Sequence, residues 1–283
     1  MIPFRQRMKN GQTILQDLFE GQLFTSLYDI NNFPREDKEH IYLTLIPEKL
    51  ITRFELNPKS LQNKAGKKVI RFYCPPGMGF VSIEVKSRVD DEDPVFSLDL
   101  ETTNLSQVEL SFLSFNDPFS ERFNIDHDEE GTKNFLSTGR RNIKEEERAL
   151  EAGLTPGQVR KGIGILRDFF KILENFLQAL GCTLYLLEPL FYHNAVVYER
   201  LGCGYVEGKP RMEKIHQGFA PGGELFSRLN DSSPFRQRGF EKTVRGRSWA
   251  IHDGILPEPW NSPKMFKPLG ENLNVSTFPD SIF

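Results

Sequence analysis

From Val159 to Leu180 the chain carries an apolar stripe that recurs at alternating intervals of four and three residues, through Val159, Ile163, Leu166, Phe170, Leu173, Leu177 and Leu180. That rhythm returns to one side of an α-helix at every turn. Ile165, Phe169, Ile172 and Phe176 widen the stripe, so the helix must bury a broad face, and a sheet is the surface that can take it. The preceding Thr155-Pro156-Gly157-Gln158 reads as a capping box with Pro at the first helical position, which predicts a helix start at Thr155. Downstream, Leu184-Tyr185-Leu186-Leu187-Glu188-Pro189 reads as a short buried strand. A second, short helix then runs from Asn194, whose side chain can accept from exposed backbone N–H groups, to Gly202, which supplies a left-handed stop.

Upstream, residues 11–30 show helical apolar spacing through Ile14, Leu15, Leu18, Phe19 and Leu23. Four strand-like runs follow, at 69–73, 80–85, 95–100 and 108–115, separated by Pro-Gly and Asp-rich turns, and they read as an antiparallel meander. A meander followed by helix, strand, helix and strand predicts an α+β fold with a mixed sheet. The runs Val108 to Phe115 and Leu184 to Glu188 are expected to be parallel neighbours, splayed at their C-terminal ends, because a buried crossover helix joins them.

Arg160-Lys161-Gly162-Ile163-Gly164 admits two readings. Glycines let backbone amides approach a diphosphate, and a helix N-terminus adds about half a positive charge. Alternatively, if the helix already starts at Thr155, Gly162 and Gly164 are interior glycines that allow close packing at about 1 kcal/mol each.

The segment Tyr192 to Gly202, with Asn194, Ala195, Tyr198, Glu199 and Leu201-Gly202, resembles a signature of the GNAT superfamily of N-acetyltransferases. Cys203 replaces the usual Phe after the glycine, and Val159 stands where a Gln or Arg opens that family's phosphate loop. The resemblance covers residues 158–206. It implies a GNAT-like acyl-CoA N-acyltransferase fold, with acetyl-CoA or another acyl-CoA as co-substrate and no metal. It further implies Tyr198 as the acid that protonates the departing thiolate and Glu109, by position, as general base. Leu113 and Phe115 would lie on the strand beside the acyl group, Arg160, Lys161, Gly162 and Gly164 would hold the diphosphate, and Asn194 would touch the cofactor. The acceptor would be a small-molecule or peptide amine.

Against the family pattern the chain carries two insertions, at about 116–154 and 209–262, within one elaborated domain over 1–270 that is followed by a tail over 271–283. Pro263-Lys264-Met265-Phe266-Lys267-Pro268 resembles the family's final strand. In the first insertion, Asn124, Asp126 and Asp128 suggest an oxygen-ligand loop, but Glu129 occupies the position where a calcium loop needs Gly, and a solvated loop is expected instead. In the second, Arg245, Arg247, Trp249 and His252 bring guanidinium, indole and imidazole together, a composition suited to recognising a carboxylate or phosphate; the bland alternative is a strand ended by the turn at Asp253-Gly254. A serine hydrolase built on Ser248, His252 and Asp253 lacks the nucleophile elbow.

The net charge of -3 and pI near 6.0 give no electrostatic reason to bind nucleic acid or an acidic membrane. No run approaches the about 20 apolar residues of a membrane span, and the polar first residues argue against a secretory signal, so a cytoplasmic protein is expected. Cys74, Cys182 and Cys203 are an odd number without a paired spacing, which predicts reduced thiols. Two other functions fit the same residues: a ligand- or partner-binding relative without catalysis, and acyl transfer to oxygen or to a lactone-forming substrate.

Overall fold

The computed structural model describes residues 24–134 and 140–282; the apolar spacing at 11–23 lies outside them. The chain forms two compact units, each assembled from separate stretches. The first comprises the chain up to Pro118, Gly162–Leu187 and Pro268–Glu271; the second comprises Phe119–Lys161, Glu188–Lys267 and the chain from Asn272. Both expected insertions fall largely in the second. None of the described helices is long and apolar enough to cross a membrane.

Among the described residues, the first unit begins with three short helices, α1 (Leu27–Asn31), α2 (Arg35–Leu43) and α3 (Glu48–Arg53). The expected meander follows as β1 (Ile70–Tyr73), β2 (Phe80–Val85), β3 (Phe96–Thr102) and β4 (Val108–Phe115), each antiparallel to the next. Val81, Ile83 and Val85 on β2 and Phe96, Leu98 and Leu100 on β3 are buried while their neighbours are not, the period-2 signature of a sheet with one core face. After the crossover, β5 (Leu184–Leu187) pairs in parallel with β4, through Val108↔Tyr185, Glu109↔Leu186 and Leu110↔Leu187. This is the parallel pair expected from the sequence. The ladder ends there, while β4 continues to Phe115.

At the same point β4 is bulged. Asp99 faces Phe112 and Leu100 faces Leu110, so Ser111 is the extra residue, and the inward set switches from Val108 and Leu110 to Leu113 and Phe115, the partners of Leu98 and Phe96. A bulge re-aims side chains in this way. Phe115 consequently stacks on Phe96, with centroids 5.2 Å apart, and meets Phe169 edge-on at 5.6 Å.

Phe169 lies on the crossover helix of the first unit; in chain order α4 (Ile143–Glu151) belongs to the second unit and the crossover helix is α5 (Leu166–Ala179). Phe169, Phe170, Leu173, Phe176 and Leu177 are its buried face. The expected start at Thr155 is corrected. The Gln158 side chain folds back to accept from Thr155 N–H and Oγ–H, each at 2.8 Å, and Gly157 adopts φ +81°, so this segment is a turn. A capping signal of this kind serves a turn as well as a helix. Val159 and Ile163 therefore lie before the helix.

The second unit continues with α6 (Tyr192–Arg200), β6 (Gly204–Glu207), α7 (Lys209–Gly218), α8 (Glu224–Ser227), a 3₁₀ turn at Phe240–Lys242, α9 (Val244–His252) and β7 (Lys264–Pro268), which pairs antiparallel with β6. The stop at Gly202 matches expectation, because Cys203 N–H donates to Tyr198 O and Gly202 N–H to Glu199 O, the double bond of a Schellman ending. The strand alternative for 244–254 is corrected to a helix. Thr243 Oγ1 caps it by accepting from Gly246 N–H at 2.9 Å. A core of Phe123, Ile125, Ala149, Leu154, Phe235 and Trp249 fills this unit.

Candidate functional site

In the first unit, the residues singled out by sequence cluster around the free end of β4. Leu113 and Phe115 lie beyond its last pair with β5. Gly162 and Gly164 sit in the loop that enters α5, outside any helix, so they are not the interior helix glycines of the packing alternative. Gly164 takes φ +71°, a conformation that glycine adopts freely, and a Cβ on Gly162 would stand 3.6 Å from the Phe115 carbonyl. The first turn of α5 has no side-chain cap, so its leading N–H groups are available to an acceptor. Asp168 in that turn is paired with Lys49. Glu109 occupies the other face of the sheet, opposite Glu101 and beside Leu186.

The remaining residues lie in the second unit. Arg160 Nη1 donates to Ser120 O, and Lys161 N–H to Ser120 Oγ at 3.2 Å. Asn194 Oδ1 accepts from Phe191 N–H at 3.1 Å, so it closes the start of α6 from inside its first turn. Tyr198 is further along α6, and burial pushes its phenol well above the ordinary tyrosine value, leaving it protonated at neutral pH.

The four expected substrate-binding residues are divided between faces of α9, because a helix turns about 100° per residue. Arg245 is exposed and donates to Gly153 O. Trp249 is fully buried, stacks on Phe235 at 5.2 Å and donates Nε1–H to Leu154 O at 2.8 Å. His252, next to Trp249, meets the Glu146 carboxylate at 3.1 Å. Arg247 points elsewhere: its Nε donates to Glu241 O at 2.7 Å, its Nη1 to His216 Nδ1 at 3.1 Å, and its guanidinium lies 3.4 Å from the Phe278 centroid and 5.0 Å from that of Phe219.

A buried polar network that no motif spacing announces joins these helices. Thr155 Oγ–H is spent on Gln158, so His193 Nε2–H donates to Thr155 Oγ at 3.0 Å, and Ser248 Oγ–H donates to His193 Nδ1 at 2.9 Å. Neither partner is an anion. Burial, with His252 nearby, pushes the His193 pKa down to about 3, so the imidazole is neutral. Phe191 stacks on it at 5.7 Å. Beside this chain, burial would raise the Glu146 carboxyl, but hydrogen bonds from His252 and Arg141 outweigh it and hold the group below its ordinary value. Arg141 also bonds Asp253 at 3.0 Å, and Asp253 in turn accepts from Ser233 and Arg236.

This geometry does not make a serine triad. Ser248 bonds His193 and not His252, it is 1% exposed, and Asp253 faces arginines and a serine. What the network does is fix the first turn of α6, which carries His193 and Asn194, against α9 and the turn at Thr155. In the proposed oxygen-ligand loop, Asp126 is paired with Arg122 and His127, while Asp128 accepts from the backbone of Glu130 and Thr132. No family model, curated protein or solved structure matches the chain.

Proposed function

We propose that the chain is an acyl-CoA-dependent acyltransferase of GNAT-like fold that acts on an amine. The observation that carries this reading is the parallel pair β4/β5, whose ladder stops at Leu110↔Leu187 beside the bulge at Ser111, joined through a glycine-bearing loop that leads into the uncapped start of α5. Such a strand end offers backbone groups to a bound acyl chain, and the loop and helix start offer N–H groups to a diphosphate. Gly162 and Gly164 fit that use, since neither places a side chain over the amides.

In this reading the amine nitrogen attacks the thioester carbonyl and gives up its proton to water, because Glu109 lies on the other face of β4 and within its ladder with β5. The tetrahedral oxyanion is held by a backbone N–H of β4. As the carbon–sulfur bond breaks, the thiolate takes up a proton, the role that the resemblance gives to Tyr198. Arg160 and Lys161 supply positive charge near the diphosphate, and Asn194 keeps the start of α6 in place.

Calorimetry with acetyl-CoA is the test. Wild type is expected to bind, and Gly162→Glu is expected to abolish binding with the unfolding midpoint nearly unchanged, whereas Gly164→Glu, at φ +71°, should also cost about 1–2 kcal/mol of stability. Absence of heat at millimolar acetyl-CoA would move the chain to the non-catalytic, ligand-binding class.

A further inference from the structure

Arg247 is a buried cation that the acyl-transfer chemistry does not use. It is 4% exposed, and among the described residues no carboxylate accepts from it. A guanidinium has five N–H groups. Two are engaged, by Glu241 O and His216 Nδ1, and a third is directed at the Tyr192 hydroxyl, which leaves two. Next to it stands Tyr192, 1% exposed, whose hydroxyl faces the guanidinium and has no other hydrogen-bond partner among the described residues. Two aromatic rings, Phe219 and Phe278, flank the guanidinium plane. Ring faces attract a cation, yet they leave its in-plane donors unsatisfied.

Leaving two donors of a buried charge unmet is costly, and their arrangement has a natural complement. We infer that Arg247 and the Tyr192 hydroxyl form a receptor for a ligand carboxylate. Two N–H groups and one O–H can fill three of the roughly four lone-pair sites of a carboxylate, and a planar fork suits a planar acceptor. A phosphate would bring more oxygens and up to a second charge against one cation.

Access is built from the same neighbourhood. A cleft of about 90 Å³ is lined by Glu207, Arg211, Met212 and Trp260 among others, about three times the liquid volume of a water molecule. Trp260 packs edge-on against Tyr192, with centroids 6.1 Å apart, and Met212 precedes His216 by one turn of α7. Trp260 thus lines the cleft and packs against Tyr192, with its Nε1–H donating to Leu190 O at 3.0 Å.

Titration with acetate, followed by tryptophan fluorescence and by the melting temperature, tests the inference without acyl-CoA, so its failure leaves the acyl-transfer reading untouched. Acetate is expected to act saturably at millimolar concentration, beyond the effect of chloride at equal ionic strength, and inorganic phosphate is expected to bind more weakly. Arg247→Lys keeps the charge but loses the fork and should weaken acetate by roughly tenfold or more. Tyr192→Phe keeps the ring and should weaken it by about ten- to a hundredfold; it carries the test if the lysine variant does not fold. Acetate indistinguishable from chloride, or Tyr192→Phe titrating like wild type, overturns the receptor. Phosphate binding more tightly than acetate overturns the assignment to a carboxylate.

Discussion

Acidification should destabilise the second unit through His193. In the folded chain its pKa is pushed down to about 3, against about 6.5 in an unfolded chain. Between those values the unfolded state binds a proton that the folded state does not, so stability falls as pH falls. The slope is about 1.4 kcal/mol per pH unit, which gives a loss of about 2 kcal/mol from about pH 7 to about pH 5. The cause is local: both ring nitrogens bond hydroxyls, and no carboxylate stands ready to stabilise an imidazolium. His193→Gln removes the titration and should cost about 1–2 kcal/mol at neutral pH through altered hydrogen bonds. The gap between wild type and variant should then close by about 2 kcal/mol at about pH 5, whereas Glu146, lowered from an ordinary value of 4.5, contributes its loss only below that and equally in both proteins. Urea melts read by tryptophan fluorescence report on the correct unit, since Trp249 and Trp260 are the chain's two tryptophans and both lie there. If the two proteins lose stability in parallel, His193 is not the proton acceptor that distinguishes unfolded from folded chain, and the reasoning fails.

Gly157→Ala should destabilise far more than Gly254→Ala. Both residues have positive φ, but a Cβ on Gly157 would lie 2.4 Å from the Phe191 ring, while one on Gly254 meets only Arg236 Nη2 at 3.9 Å. The conformation alone costs about 1–2 kcal/mol, and the clash should at least double it, as urea midpoints would show; equal costs would mean that Phe191 yields freely. With an acceptor in hand, Tyr198→Phe should keep the wild-type melting temperature and lower turnover by roughly 10²- to 10⁴-fold, and an unchanged rate would assign the hydroxyl a structural part only.

Where sequence and structure agree, the signal is local and strongly periodic. Alternation in β2 and β3, the buried stripe of α5 and the glycine after α6 each specify their own backbone, and the crossover then sets β4 and β5 parallel. The failures have equally local causes. At Thr155 the same Thr and Gln that would cap a helix close a turn, because Gly157 takes a conformation that ends helical geometry. In α9, Val244 and the run from Gly246 to Ile251 are buried, so the helix has no polar face to set a 3.6-residue rhythm, and only Thr243 marks its start. The His193 network joins Thr155, His193 and Ser248, which are far apart in sequence, and no motif spacing announces such a contact. Tyr192 was similarly hidden, since its hydroxyl faces the guanidinium only once folding sets Arg247 beside it.

Because the chain leaves the first unit after Pro118, returns at Gly162, leaves again after Leu187 and comes back at Pro268, no single cut yields either unit intact. Dissection by truncation will therefore produce fragments lacking β5 or α9 alike, and loss of activity in such a series will not map a site. Folding meets the same constraint: Val108 finds Tyr185 only after the whole intervening segment has been spanned, and distant pairings of that kind slow collapse to the native state. Expression as one continuous chain, with internal tags confined to exposed turns, is the form in which this protein can be tested.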